Sequence, residues 1–165
     1  MMTNSIKNAK AQKLLLDEMM NHYNICEHHF IKSYFTDDSG DLMVGTGYFG
    51  YRTDKENFML DETKFKRYSL FDVVNMDNTS DLVFAGSFNK YIYGEKKLTN
   101  VYCFVTSDTG IAKHYFEKRY MDIFNMEYVE YHYKKGICII TDANTHEIIG
   151  YVLEIMKVGE KNDQR

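Results

Sequence analysis

The sequence predicts an α+β fold: a mainly antiparallel sheet of about five to six strands, with an N-terminal helix and a second helix packed on it. Two patterns lead to this prediction. Residues 82–106 contain two strand-like runs around a turn, and residues 127–156 contain three more runs separated by short turns. Because strands joined by tight turns pair antiparallel, both stretches favour a meandering sheet over a doubly wound one.

The two helices are predicted from apolar residues at helical spacing. Residues 4–26 are rich in strong helix formers and place Leu15, Leu16, Met19, Met20 and Tyr23 on one broad stripe. Residues 111–124 repeat apolar side chains near a 3.6-residue period, with charged side chains opposite them. We therefore expect both helices to lie on the sheet.

The stretch between these patterns is less regular. Residues 42–52 are aromatic and β-branched but contain three glycines, which predicts a single strand that is bent or bulged. Residues 58–68 favour a further strand, and residues 69–76 favour a short helix. The breaks between segments are short, as they are within one domain.

Length and composition predict one α+β domain over residues 1–165, with a flexible tail from about residue 158. The chain has 165 residues, of which 44% are hydrophobic, enough to build a sizeable core. The start lacks the pattern of a secretion signal, and no apolar run is long enough to span a membrane. Three cysteines without a pairing pattern fit a reducing compartment, so we expect a soluble, cytoplasmic protein.

The charge balance bears on the kind of partner. A net charge of −4 without a long run of either sign gives no general attraction to nucleic acid or to anionic lipid. We therefore expect a protein partner and neither direct nucleic-acid binding nor membrane binding. Pairing between sheet edges would also allow a homodimer.

The leading functional hypothesis depends on the content of tyrosine and of acidic residues. The chain has 14 tyrosines, a residue enriched at binding interfaces, and acidic residues interleave with aromatic ones in its first half. The predicted partner-binding residues combine acidity with nearby aromatics: Tyr34, Asp37, Asp38, Asp41, Asp54 and Glu56. Such a surface could occupy the basic groove of a nucleic-acid enzyme.

The hypothesis is a non-enzymatic protein-binding module that inhibits a host nucleic-acid-handling enzyme, such as a defence enzyme. The absence of proline and tryptophan and the plentiful Lys, Asn, Ile and Tyr are typical of AT-rich genomes, which favours a phage or mobile-element origin. Neither a cofactor nor a metal is predicted for this function.

Two alternatives involve other chemistry. Asp41, Glu62 and Lys64 resemble in spacing the Asp…Glu-x-Lys pattern of metal-dependent nucleases, in which carboxylates hold Mg²⁺ and a lysine polarises water or phosphate. Residues 45–50 match GxGxxG, which would suit a small-ligand or nucleotide sensor. That fingerprint needs a helix directly after the glycines, whereas residues 48–51 look extended and aromatic.

Overall fold

The computed structural model describes residues 4–22, 29–91, 98–108 and 110–155. These residues form two helices, α1 (Asn8–His22) and α2 (Lys118–Met121), and three short 3₁₀ turns at Glu62–Lys64, Leu70–Asp72 and Met126–Tyr128. They also form ten strands: β1 (Phe30–Tyr34), β2 (Leu42–Thr46), β3 (Phe49–Thr53), β4 (Lys66–Arg67), β5 (Ser80–Tyr91), β6 (Leu98–Thr106), β7 (Lys113–Glu117), β8 (Val129–Lys134), β9 (Ile137–Asp142) and β10 (Ile148–Leu153).

All ten strands belong to one mixed sheet in the order β4-β1-β2-β3-β10-β9-β8-β5-β6-β7. β4 pairs with β1 in parallel, and the other neighbouring strands pair antiparallel. The sheet curves enough to bring the residue just after β10 to β7, its last strand. The backbone N–H of Ile155 donates there to the carbonyl of Tyr115 at 2.8 Å. Among the described residues, no helix is long and apolar enough to cross a membrane.

The predicted fold class is wrong: the sheet has ten strands, not five or six, and it is mixed. Part of the difference is the second helix. Residues 113–117 of that predicted helix form β7, whose backbone pairs with β6, and only the four residues of α2 are helical. Ile111, predicted to face the core, is 82% exposed. The backbone hydrogen bonds offered by β6 outweigh a local helical period.

The remaining difference comes from β1, where no strand is predicted, and from several short elements. Residues 42–52 form two strands, β2 and β3, with a turn at Gly47 and Tyr48, rather than one bent strand. Residues 58–68 contribute a 3₁₀ turn and the two-residue β4, and residues 69–76 contribute one 3₁₀ turn. Elements of two or three residues are too short to show a period, so sequence patterns do not reveal them.

The clearest strand patterns do form the expected pairs. β5 and β6 make the antiparallel hairpin of residues 82–106, and β8, β9 and β10 make the terminal meander. The predicted end of the first helix at residues 23–26, the expected turn at residues 94–97 and the tail from residue 158 lie outside the described residues.

α1 forms where helix-favouring residues dominate, but its buried face differs from the predicted stripe. Ala11, Leu15 and Glu18, spaced four and three residues apart, are buried. Leu16 and Met20 are exposed. The core under this face continues through strand residues such as Phe49, whose ring stacks on that of Tyr120 at 4.7 Å.

Two of the three glycines in residues 45–50 allow close packing within the sheet. Gly45 and Gly50 face each other across β2 and β3. A Cβ on Gly45 would lie 2.1 Å from the carbonyl oxygen of Phe49, and one on Gly50 would lie 2.3 Å from the ring of Tyr151. A hairpin, not a helix, follows the first glycine, so the strand-to-helix turn of a dinucleotide site does not form here.

Replacing Gly45 with Ala should therefore lower the free energy of unfolding by about 2 kcal/mol, because overpacking against backbone atoms cannot relax easily. Gly47→Ala is the matched control, since a Cβ there meets nothing within 4 Å. Urea denaturation of both variants measures the difference. Equal stability of the two variants would show that close packing does not explain the motif.

Candidate protein-interaction site

Arg52 on β3 lies at the centre of a cluster of charged side chains. Its side chain is only 4% exposed. The guanidinium donates to the carboxylates of Asp41 at 2.6 Å, Asp37 at 3.0 Å and Glu147 at 2.9 Å. Its carbon lies 3.9 Å from the ring centroid of Phe35. A buried guanidinium requires such acceptors, because its charge loses hydration on burial.

The turn between β1 and β2 presents two of these carboxylates. Within residues 36–41, the Asp37 carboxylate accepts hydrogen bonds from both the backbone N–H and the hydroxyl of Ser39. The Ser39 hydroxyl oxygen accepts in turn from the Asp41 backbone N–H and from Arg52, each at 3.1 Å. Gly40 has a φ of 76°, a conformation that glycine adopts without strain. These hydrogen bonds and the glycine together fix the conformation of the turn.

The third carboxylate comes from the turn between β9 and β10. The Asp142 backbone N–H donates to the carbonyl of Glu147 at 2.9 Å, which closes this turn. The buried Asp142 carboxylate also accepts from the hydroxyl of Ser5 and from the backbone N–H groups of Asn144 and Thr145. These bonds hold the turn against the segment that precedes α1.

The two turns border a cleft of about 410 Å³. Four carboxylates line it, those of Asp37, Asp41, Asp54 and Glu147, against the one guanidinium of Arg52. Its other lining residues are uncharged: Ile6, Asn8, Ser39, Asn57 and Thr145. The cleft therefore keeps an excess of three negative charges.

Titration behaviour reflects the ion pairs of the cleft. Burial alone would lower the pKa of Arg52, but hydrogen bonds and charge from Asp41 and Asp37 outweigh it and raise that pKa. Hydrogen bonds from Ser39, followed by the bond and charge of Arg52, lower the pKa of Asp37. Both groups are therefore charged at neutral pH.

The structure brings together three of the predicted partner-binding residues, since Asp37, Asp41 and Asp54 line the same cleft. Asp38 is exposed in the same turn as Asp37, and Glu56 is exposed two residues after Asp54. The Asp54 carboxylate accepts from the backbone N–H and the side-chain amide of Asn57 at 2.8 and 2.9 Å.

Tyr34 lies in a different, cationic environment. Its hydroxyl donates to Glu62 at 3.1 Å, and Glu62 also accepts from the ammonium of Lys32 at 2.6 Å. The hydrogen bond from Lys32 is the main cause that lowers the pKa of Glu62, and burial opposes it. The ring of Tyr34 has the side chains of Lys55 and Arg67 within 6 Å.

The three residues of the nuclease-like pattern belong to different clusters. Asp41 is bound to Arg52, Glu62 is bound to Lys32, and Lys64 is exposed at the end of a 3₁₀ turn. The described residues contain no group of three or more His, Cys, Asp or Glu side chains that could hold a metal ion.

Sequence reasoning missed Arg52 and Glu147. A signal for Arg52 existed, because an arginine within a run of buried-type strand residues must have carboxylate partners. Glu147 is 95 residues further along the chain and had no local signal. No protein-family model, curated protein or solved structure matches this chain. The functional argument therefore depends on the chemistry of the described residues.

Because Asp41 and Glu62 are each held by a cation, Mg²⁺ would have to displace an ion pair to bind either of them. We expect a calorimetric titration with Mg²⁺ or Mn²⁺ to show no saturable heat that depends on these carboxylates. The variants are Asp41→Asn and Glu62→Gln, with the exposed Asp77→Asn as the matched control. Heat lost in the first two variants and kept in the control would establish a metal site and support the nuclease alternative.

Proposed function

We propose that this chain is a non-enzymatic, cytosolic protein-binding module whose acidic cleft around Arg52 receives a basic segment of its partner. One observation carries this proposal: four carboxylates face a single guanidinium in one cleft. An excess of negative charge in a concave site attracts cationic side chains and speeds their association.

The cleft has carboxylate capacity left for a partner. Asp54 has no cation within 4 Å among the described residues, and its carboxylate accepts hydrogen bonds from Asn57. The side chains of Asp37 and Glu147 are 46% and 47% exposed, so each can accept a further hydrogen bond while it holds Arg52. Arginine of a partner could pair with these groups through its planar fork of donors.

The hydrogen bonds around Arg52 also favour a protein-binding role over a catalytic one. Asp41, the first residue of the nuclease-like pattern, is held at 2.6 Å by a buried guanidinium. A carboxylate in such a bond serves poorly as a metal ligand or general base, because its charge is already compensated. A rigid, pre-formed acidic surface lowers the ordering cost of binding instead.

For the partner, we propose an enzyme that handles nucleic acid, since its substrate groove offers the basic surface that the cleft requires. Occupation of that groove would make the chain an inhibitor, and a host defence enzyme is the target that fits a phage or mobile-element origin. The homodimer through sheet edges remains a separate prediction.

We expect Asp38→Asn combined with Asp54→Asn to weaken partner capture roughly tenfold, because two charges are lost without any change at Arg52. The full chain is immobilised, incubated with extract of a low-GC bacterium, and the bound proteins are quantified by mass spectrometry. Purified captured enzyme is then assayed with and without the chain.

The matched control is Asp77→Asn combined with Glu127→Gln, which makes the same change in net charge at exposed positions elsewhere. Salt of about 500 mM should release the partner from the wild type, because exposed charges are screened. Equal capture by the two double variants, or a captured protein with an acidic binding surface, would contradict the proposal.

A further inference from the structure

The β4 end of the sheet carries a local positive charge that the net charge of the chain conceals. Residues 64–68 read Lys-Phe-Lys-Arg-Tyr, and β4 forms an edge of the sheet. Arg67 pairs with Lys32 across β1 and β4, so their side chains lie on the same face. That face also carries Tyr34, two residues after Lys32.

Three cations surround the ring of Tyr34. The guanidinium carbon of Arg67 lies 4.7 Å from the ring centroid, and the ammonium groups of Lys55 and Lys32 lie 5.6 and 5.7 Å from it. One carboxylate, that of Glu62, is bonded within this group, and it is bonded to Lys32 and to the Tyr34 hydroxyl. We call Tyr34, Lys32, Lys55, Arg67 and Glu62 the tyrosine patch.

Arg67 and Lys55 are the exposed members of the tyrosine patch. Among the described residues, neither has a carboxylate within 4 Å or a hydrogen-bond acceptor for its charged group. An exposed cation–π contact is weak, so it positions these side chains without neutralising them. Their N–H donors are therefore available to a ligand.

Glu62 is already engaged, so the tyrosine patch has an unpaired excess of positive charge. Its carboxylate compensates Lys32. Burial lowers the pKa of Lys32, but hydrogen bonds and charge interactions with Glu62 and Tyr34 together outweigh burial and raise that pKa. The nearby Asp61 is committed to the 3₁₀ turn, where it accepts from the backbone N–H and the hydroxyl of Thr63. Three cations and one bonded carboxylate leave two positive charges in excess, which fits a ligand with several anionic oxygens.

We propose that Arg67 and Lys55, held over Tyr34, form a phosphate-binding site. A guanidinium donates to two phosphate oxygens at once, and a lysine adds a point charge beside it. The phosphate can come from a single strand of nucleic acid running along the open edge of β4 or from a free polyphosphate. This inference is independent of the acidic cleft, because it uses none of the cleft residues.

The test measures binding of a fluorescent oligothymidylate of about twelve nucleotides by anisotropy, at about 50 mM and about 200 mM salt. Tripolyphosphate binding is measured directly by calorimetry in a second series. Arg67→Met combined with Lys55→Met should weaken binding roughly tenfold and reduce its salt dependence, because two phosphate contacts are lost. Binding of tripolyphosphate without binding of the oligonucleotide would identify a free polyphosphate as the source.

The matched control is Lys10→Met combined with Lys135→Met, which removes the same charge from exposed positions outside the tyrosine patch. This control should bind as the wild type does, and melting curves should show that both double variants are folded. Equal weakening in the two double variants would show general charge attraction and overturn the proposal. A wild type that binds neither probe at the lower salt concentration would also overturn it.

Discussion

The buried guanidinium of Arg52 determines how the turns beside β3 are arranged. The guanidinium of Arg52 has little contact with water, and removing a charge from water costs several kcal/mol unless acceptors replace the lost hydration. Those acceptors come from the turn between β1 and β2 and from the turn between β9 and β10, two segments far apart in sequence. Both turns must therefore lie beside β3, and their carboxylates converge on one cleft.

The same arrangement links the charged cleft to the apolar interior. Phe35 lies under the Arg52 guanidinium and packs on Phe71 at 4.8 Å, within the smaller of two core clusters. Met43, which pairs with Arg52 across β2 and β3, is fully buried in that cluster. The position of the cation is thus set by packing as well as by charge. A rigid acidic surface is the result, and rigidity favours recognition by contact.

Net charge conceals how differently the two charged sites are built. Around Arg52, acids outnumber the cation, whereas around Tyr34 cations outnumber the single bonded acid, Glu62. Tyr34 and Asp37 are three residues apart in sequence but belong to clusters of opposite charge. Composition averages over both sites, so it predicts neither.

The sequence predicts the longer antiparallel pairs, because the β5–β6 hairpin and the terminal meander have strand-like runs and short turns. It fails for β7, where residues 113–117 show a helical period but pair with β6. It also fails for β4, which is too short to have a pattern. The acidic residues of the cleft were recognised by their proximity in sequence, whereas Glu147 reaches the site only through tertiary structure.

The free energy of unfolding of an Arg52→Lys variant measures most directly whether the cleft depends on the guanidinium. Lysine keeps the charge but cannot span three carboxylates, so denaturation in urea should show a loss of about 2–3 kcal/mol. Arg67→Lys, at an exposed position, should change stability by less than about 0.5 kcal/mol. An Arg52→Lys variant as stable as the wild type would contradict the account, because the cleft would then not depend on the guanidinium.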